Sequence, residues 1–230
     1  KEDGRAWRAL MEPFSMRWSD LATDILRPTI ALPKHPLMLA RFALDALPSA
    51  TFVAHRRFHN PRTRALFLGL AAHSFLRLSQ PLSASFGLVL GIAAHAVGWP
   101  IPRGGAQSIT NALAAHLIHL GGHIATSARI RRLSDLPSDA LILCDITPRQ
   151  LIALSQTGDR LSDIYRSRLA NYQYGPGVFK VDYALSQPIP WNAPECLRSA
   201  TVHLGGLERE IIASQAAVSR KCVDESPFVL

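Results

Sequence analysis

The sequence contains histidines and cysteines, the residue types that most often bind metals or act as nucleophiles. His116, His119 and His123 have spacings of three and four, so the first two could share a helix face. His123 follows a glycine pair that should end such a helix, and no glutamate lies between the histidines as in H-E-x-x-H. The three cysteines are far apart and form no C-x-x-C pair. We therefore predict no metal site and no disulfide framework, and we expect a reducing, cytoplasmic setting.

Three other histidines could be either functional or structural residues. His203 lies beside a glycine pair where a backbone could approach a ligand, and a histidine bonded within a sheet is the default. His73 and His95 lie in apolar helical stretches and are predicted to be core or cavity-wall residues. No G-x-S-x-G occurs, so nucleophilic catalysis is not indicated.

The charge balance is basic, with 25 Lys and Arg against 17 Asp and Glu in 230 residues, a net charge of +8. Such a charge attracts nucleic acid, anionic lipid or an anionic cofactor. The cations are scattered, with no run of five and no interleaved aromatics, so we predict no nucleic-acid partner. The longest uncharged stretch has an apolar part near 86–97 that is too short to span a bilayer, which favours a buried helix.

Residues 1–98 are predicted to be helical. Apolar residues recur there at three- and four-residue spacing. His35-Pro36 and Asn60-Pro61 are typical helix starts, and a nearly all-apolar helix is predicted from Ser83 to Val97.

Residues 99–150 change to an alternation of helix and strand. Gln107 to Leu120 carries one apolar stripe, typical of a helix that packs on a sheet, and Gly121-Gly122 should end that helix. Strands are predicted at 123–126 and at 140–148, "ALILCDITP", whose apolar run is typical of a parallel sheet.

Residues 151–230 add an antiparallel pattern. Alternating strands are predicted at 177–185 and 199–206, followed by a helix from Leu207 to Ser219. Lys180 and Asp182 share one strand face and could form an ion pair. The fold class predicted from the whole pattern is α/β with α+β character, in which the chain passes through two domains more than once.

Four stretches in this order carry a family resemblance: "GWPIPRGGAQSITNALAAHLIHLGGHIAT", "ALILCDITPRQL", "YGPGVFKVDYALSQPIPW" and "ATVHLGGLEREI". Together they resemble the middle of the FAD-dependent oxidoreductases related to phytoene desaturase and, more distantly, to amine oxidases. The resemblance covers most of the chain from about Phe67 onward.

This resemblance implies a partial FAD-binding (Rossmann-like) domain interleaved with a substrate domain of helices and an antiparallel sheet. Residues 1–98 would be the helical part of the substrate domain, 99–150 the returning segment of the FAD domain, and 151–230 the substrate-domain sheet and helix. The chain has no G-x-G-x-x-G loop, does not begin with methionine, and ends at 227–230 in what resembles half a strand. We therefore expect an internal fragment whose missing flanking segments of the same polypeptide complete the cofactor site.

The resemblance also implies candidate cofactor-binding residues. Ile130 would contact the adenine, and Asp145, Thr147 and Pro148 would lie beside the flavin at a strand end. The alternative for the last pair is that Thr147 ends a strand and Pro148 opens a helix.

Two cations complete the candidate set. Arg103 could face an anionic cofactor or be a solvated surface residue, and Lys180 could reach the flavin through water or only pair with Asp182. No catalytic residue is predicted.

The implied function is oxidation of a small apolar or amine-like substrate by hydride transfer to flavin, with FAD as cofactor. The alternative is a non-catalytic basic helical module that binds lipid or membrane surfaces. A peripheral membrane contact fits either hypothesis, because a basic surface suits an anionic membrane.

Overall fold

The computed structural model describes residues 1–28, 32–155, 161–199 and 201–222. Its α-helices over these ranges are α1 (Glu2–Ser15), α2 (Trp18–Ile25), α3 (Pro36–Ala46), α4 (Ala50–Arg57), α5 (Pro61–Ala71), α6 (Ser83–Ala96), α7 (Gln107–His119), α8 (Pro148–Leu154), α9 (Asp163–Ala170) and α10 (Glu208–Ser219). Short 3₁₀ turns lie at Ala72–Ser74, Leu133–Asp135 and Pro194–Arg198. The chain divides into two compact units: unit 1 contains Lys1–Ile101 with Val178–Leu230, and unit 2 contains Pro102–Gly177. The predicted boundaries after 98 and 150 stay predictions.

The predicted α/β fold, with its Rossmann-like part and its antiparallel sheet, is wrong. Over the described ranges the chain is helical and forms no sheet. The segments 123–126, 140–148 and 177–185 lack strand structure, and the described part of 199–206 has only a single bridge residue. The predicted half-strand at 227–230 lies outside the described residues.

The physical reason for this error is that a strand is not a local structure. Its N–H and C=O groups need a neighbouring strand, whereas an α-helix satisfies its own backbone groups. Alternation in the sequence indicates which side chains share a face, but it does not supply the neighbour. Leu141 and Phe179, which the predicted sheets would bury, are 88% and 93% exposed.

The helix starts and ends, by contrast, follow local signals. The Asn60 side chain accepts a hydrogen bond from the N–H of Arg62 at 2.9 Å, which confirms the predicted N-cap of α5. Pro36 opens α3, as predicted. Gly121 adopts a φ of +84°, and its N–H bonds to the carbonyl of Ile118 at 2.9 Å, so the glycine pair ends α7 as predicted.

Unit 1 has a continuous apolar core built mainly by α1, α3, α4, α5 and α6, with α10 packed against α5. Phe58, Phe67 and Leu88 are among its fully buried side chains. The nearly all-apolar sequence of α6 suits its position, because this helix contacts α1, α3, α4 and α5. A helix surrounded in this way has little need of a polar face.

Two glycines of α6 permit this close packing. A Cβ at Gly87 would lie 3.2 Å from the Ala71 Cβ and from the Phe67 carbonyl oxygen of α5. A Cβ at Gly91 would lie 2.9 Å from the terminal methyl of Met11 in α1. A larger side chain at Gly87 would press on the α5 backbone, whereas one at Gly91 would first displace the flexible end of Met11.

Unit 2 contains α7, α8 and α9, joined by irregular segments. Among its described residues Leu133 alone is buried. The predicted packing of the α7 stripe on a sheet is wrong, because Ile109, Leu113, Leu117 and Leu120 are all exposed. The apolar spacing correctly predicted the helix α7, but it did not show whether another element covers the apolar face of that helix.

Candidate functional site

Unit 1 contains an open cavity of about 370 Å³ beside the C-terminal half of α5. Leu66 and Leu70 of α5 and Trp99 form part of its apolar wall. Its remaining lining residues come from the segment around the 3₁₀ turn at 194–198, namely Glu195, Cys196, Ser199, Thr201, Val202 and His203. The volume and the mixed lining are those of a site for a small ligand with an apolar body and few polar groups.

A histidine pair lies at the edge of this cavity. The Nε2 atoms of His73 and His203 are 3.2 Å apart, and their ring centroids are 4.9 Å apart. One imidazole must donate and the other accept, so the contact requires that the two rings are not both protonated. This pair joins the turn after α5 to the segment before α10.

Burial sets the protonation state of the pair. Burial lowers the pKa of His73, and burial followed by the charge of His73 lowers the pKa of His203. Both rings are therefore neutral near pH 7, the state that the shared hydrogen bond requires. His203 was predicted to be bonded within a sheet; it is instead bonded to a histidine 130 residues away.

The other histidine of an apolar helix has a different environment. His95 is exposed, and its Nε2 accepts a hydrogen bond from the indole N–H of Trp7 at 2.8 Å. The prediction that His95 belongs to the core or a cavity wall is therefore wrong. His73 is half-buried and contacts His203, which lines the unit 1 cavity.

Five of the six predicted cofactor residues lie in unit 2: Arg103, Ile130, Asp145, Thr147 and Pro148. Arg103, Asp145 and Thr147 are exposed, and Ile130 is 38% exposed. Arg103 precedes the two glycines of a turn, in which the N–H of Gly105 bonds to the carbonyl of Pro102 at 3.0 Å.

Thr147 and Pro148 begin a helix. The Thr147 hydroxyl accepts from the N–H of Gln150, and the Gln150 side chain accepts from the N–H of Thr147 at 2.9 Å, which forms a capping box. Pro148 is the first residue of α8. The alternative in which Pro148 opens a helix is confirmed, and the Thr147 hydroxyl is occupied by this cap.

Lys180 lies in unit 1 and forms an ion pair with Asp182, with 2.7 Å between Nζ and Oδ1. Both side chains are more than three-quarters exposed, so this pair contributes little to stability. The predicted pairing is confirmed, but it occurs without a sheet.

Unit 2 has its own open cavity of about 600 Å³, lined by residues of the "ALILC" segment and by α8 and α9. Pro148 lines it, and the other four cofactor candidates of the unit do not. The lining is apolar apart from Cys144 and Tyr165. The side chains that line this cavity include no lysine, arginine or histidine to pair with an FAD pyrophosphate, so this cavity does not fit FAD by itself.

Neither metal ligands nor a spanning helix are evident in the described part of the chain. No group of three or more His, Cys, Asp or Glu side chains converges there. No single helix in the same ranges has the length and apolar character needed to cross a membrane, although α3 and α4, which meet at 90°, reach that length and composition together.

Comparison with known proteins identifies no relative: no family model, no curated protein and no solved structure matches this chain. The family resemblance, the FAD cofactor and the cofactor residues therefore stay predictions.

Proposed function

We propose that this chain acts in an FAD-dependent oxidoreductase of the phytoene-desaturase-like class, and that its own part is to bind a small apolar or amine-like substrate in the unit 1 cavity. The observation that carries the proposal is the lining of that cavity. The helical part predicted for the substrate domain contributes Leu66 and Leu70, and Glu195, Ser199 and Thr201 add polar groups to the lining.

The division of apolar and polar residues supports substrate binding. Leu70 is buried and Leu66 is partly exposed at the mouth, so an apolar ligand would remove further apolar surface from water. Glu195, Ser199 and Thr201 add polar side chains to the lining. Such a site orients a ligand with few polar contacts.

The redox chemistry of this class belongs to the flavin, which accepts hydride when bound. Since the unit 2 cavity does not fit FAD by itself, the contribution proposed for this chain is to bind the substrate and exclude water. The supporting arguments for the class are the four resembling stretches and an apolar cavity of suitable size.

Substrate binding is testable with diphenylhexatriene, an uncharged apolar fluorophore, added to the 230-residue chain. Leu66→Gln places an amide in the cavity wall and should weaken binding, measured from the emission of the fluorophore itself, by roughly tenfold. Leu26→Gln changes an exposed leucine outside the cavity lining and is the matched control. Equal affinity of both variants would show that the cavity is not the site.

The enzyme class is testable separately by expressing the whole reading frame that encodes this chain. We expect a product with flavin absorption bands that bleach when an apolar substrate is added without oxygen. A product that binds diphenylhexatriene through Leu66 but never carries flavin would refute the oxidoreductase class and leave a lipophile-binding protein.

A further inference from the structure

Exposed apolar side chains lie on α3 and around the start of α6 in unit 1. α3 buries Met38, Phe42 and Ala46, so its opposite face carries Leu37 and Leu44, which are 87% and 75% exposed. The leucine ridge is defined here as Leu37, Leu44, Leu47, Leu82 and Phe86, all of them exposed.

One backbone hydrogen bond joins the two halves of the leucine ridge. The N–H of Leu82 donates to the carbonyl of Leu47 at 2.8 Å, which places the start of α6 beside the end of α3. Leu82 is the N-cap of α6, with a left-handed φ of +71°, and Phe86 is exposed near the start of that helix. The ridge thus joins the exposed face of α3 to the start of α6.

Exposed cations beside the leucine ridge are Lys34 and Arg41. The nearby carboxylates each pair with an arginine: Asp45 with Arg57 at 2.6 Å, Asp20 with Arg17 at 2.9 Å and Asp24 with Arg27 at 3.6 Å. Arg41 lies between Leu37 and Leu44 on the exposed face of α3, with its guanidinium 5.7 Å from the Phe14 ring centroid.

We propose that the leucine ridge docks on an anionic lipid bilayer, with its apolar side chains in the headgroup boundary and with Lys34 and Arg41 against the phosphates. An exposed apolar patch flanked by two exposed cations, with the nearby carboxylates already paired to arginines, has the two properties that interfacial membrane binding needs. A second protein copy would not match this charge, because the same cations would face one another. The inference goes beyond the proposed substrate site and does not depend on flavin.

The experiment measures sedimentation of the 230-residue chain with vesicles of phosphatidylcholine, alone or mixed with equimolar phosphatidylglycerol. We expect binding to the anionic vesicles that decreases at high salt, and weak binding to the neutral ones. Leu44→Asp should reduce binding to the anionic vesicles by about tenfold, since it removes an inserted leucine and adds repulsion. Leu197→Asp makes the same change at an exposed leucine outside the ridge and should bind like the unaltered chain.

A charge-matched pair of variants tests the cations. Lys34→Gln with Arg41→Gln should weaken binding by roughly 25-fold, at about fivefold per cation. Arg5→Gln with Arg8→Gln removes the same net charge from exposed positions of α1 and should have a much smaller effect. Circular dichroism shows whether each variant retains its helices.

Two outcomes would overturn the proposal. One is equal loss of binding in the two charge-matched variants, which would show that net charge and not this surface attracts the lipid. The other is a dimer in light scattering that Leu44→Asp dissociates, without vesicle binding by the unaltered chain, which would assign the ridge to a second copy.

Discussion

The hydrogen bond between His73 and His203 requires that at least one of the two imidazole rings is neutral. Their Nε2 atoms are 3.2 Å apart, and burial lowers the pKa of each ring. In the unfolded chain each ring regains an ordinary pKa of about 6.5. The two states therefore bind different numbers of protons in mildly acidic solution.

We expect the free energy of unfolding to fall as the pH is lowered from about 7.5 to about 5.5. Because the folded pKa values lie below the unfolded ones, the stabilisation is complete above the unfolded pKa and is lost as the pH falls below it. Urea unfolding midpoints at the two pH values measure the effect. The fall should be smaller in His203→Gln and unchanged in His59→Gln, which alters an exposed imidazole. An identical fall in all three proteins would contradict this account of the pair.

At the scale of elements, a buried serine joins the starts of two core helices. The Ser83 hydroxyl accepts a hydrogen bond from the N–H of Ala50 at 2.9 Å and donates to the carbonyl of Gln80 at 2.7 Å. Ser83 and Ala50 are both fully buried. The first turn of α4 thus depends on a side chain from α6.

Ser83→Ala should lower the free energy of unfolding by roughly 1–3 kcal/mol, because it leaves a buried N–H of Ala50 without its acceptor. Ser85→Ala, two residues further along α6, is the control. It removes a hydroxyl that bonds only to the local carbonyl of Leu82, so it should change the free energy of unfolding by less than about 1 kcal/mol. Urea unfolding of the two variants gives the comparison. Equal stabilities would mean that the Ala50 N–H finds another partner.

The elements also show what the sequence can predict. The start of α5 at Asn60 and the end of α7 at Gly121 were predictable, because caps depend on residues within a few positions of one another. The sheets were not, since a strand is stable only beside another strand. The contact of His73 with His203, 130 residues apart, left no signal in residue spacing at all.

At the scale of the whole molecule, the two units differ in how much apolar surface they bury. Unit 1 has a continuous core, whereas Leu133 alone is buried among the described residues of unit 2. Buried apolar area is the main favourable contribution to folding, and local stability follows it along the chain. The backbone hydrogen bonds of α7 are therefore protected mainly by the helix itself, and those of α6 by surrounding helices as well.

This contrast predicts an order of amide exchange in hydrogen–deuterium exchange mass spectrometry. Peptides from α7, and from the irregular segment 123–132, should exchange much faster than peptides from α6, since α6 opens only when the core of unit 1 opens. The two helices have similar lengths, so helix length does not account for the difference. The internal control is α1, which shares the core with α6 and should exchange slowly with it. Protection of α7 as strong as that of α6 would mean that a surface in solution covers Leu113 and Leu117, and that the isolated chain buries its apolar stripe after all.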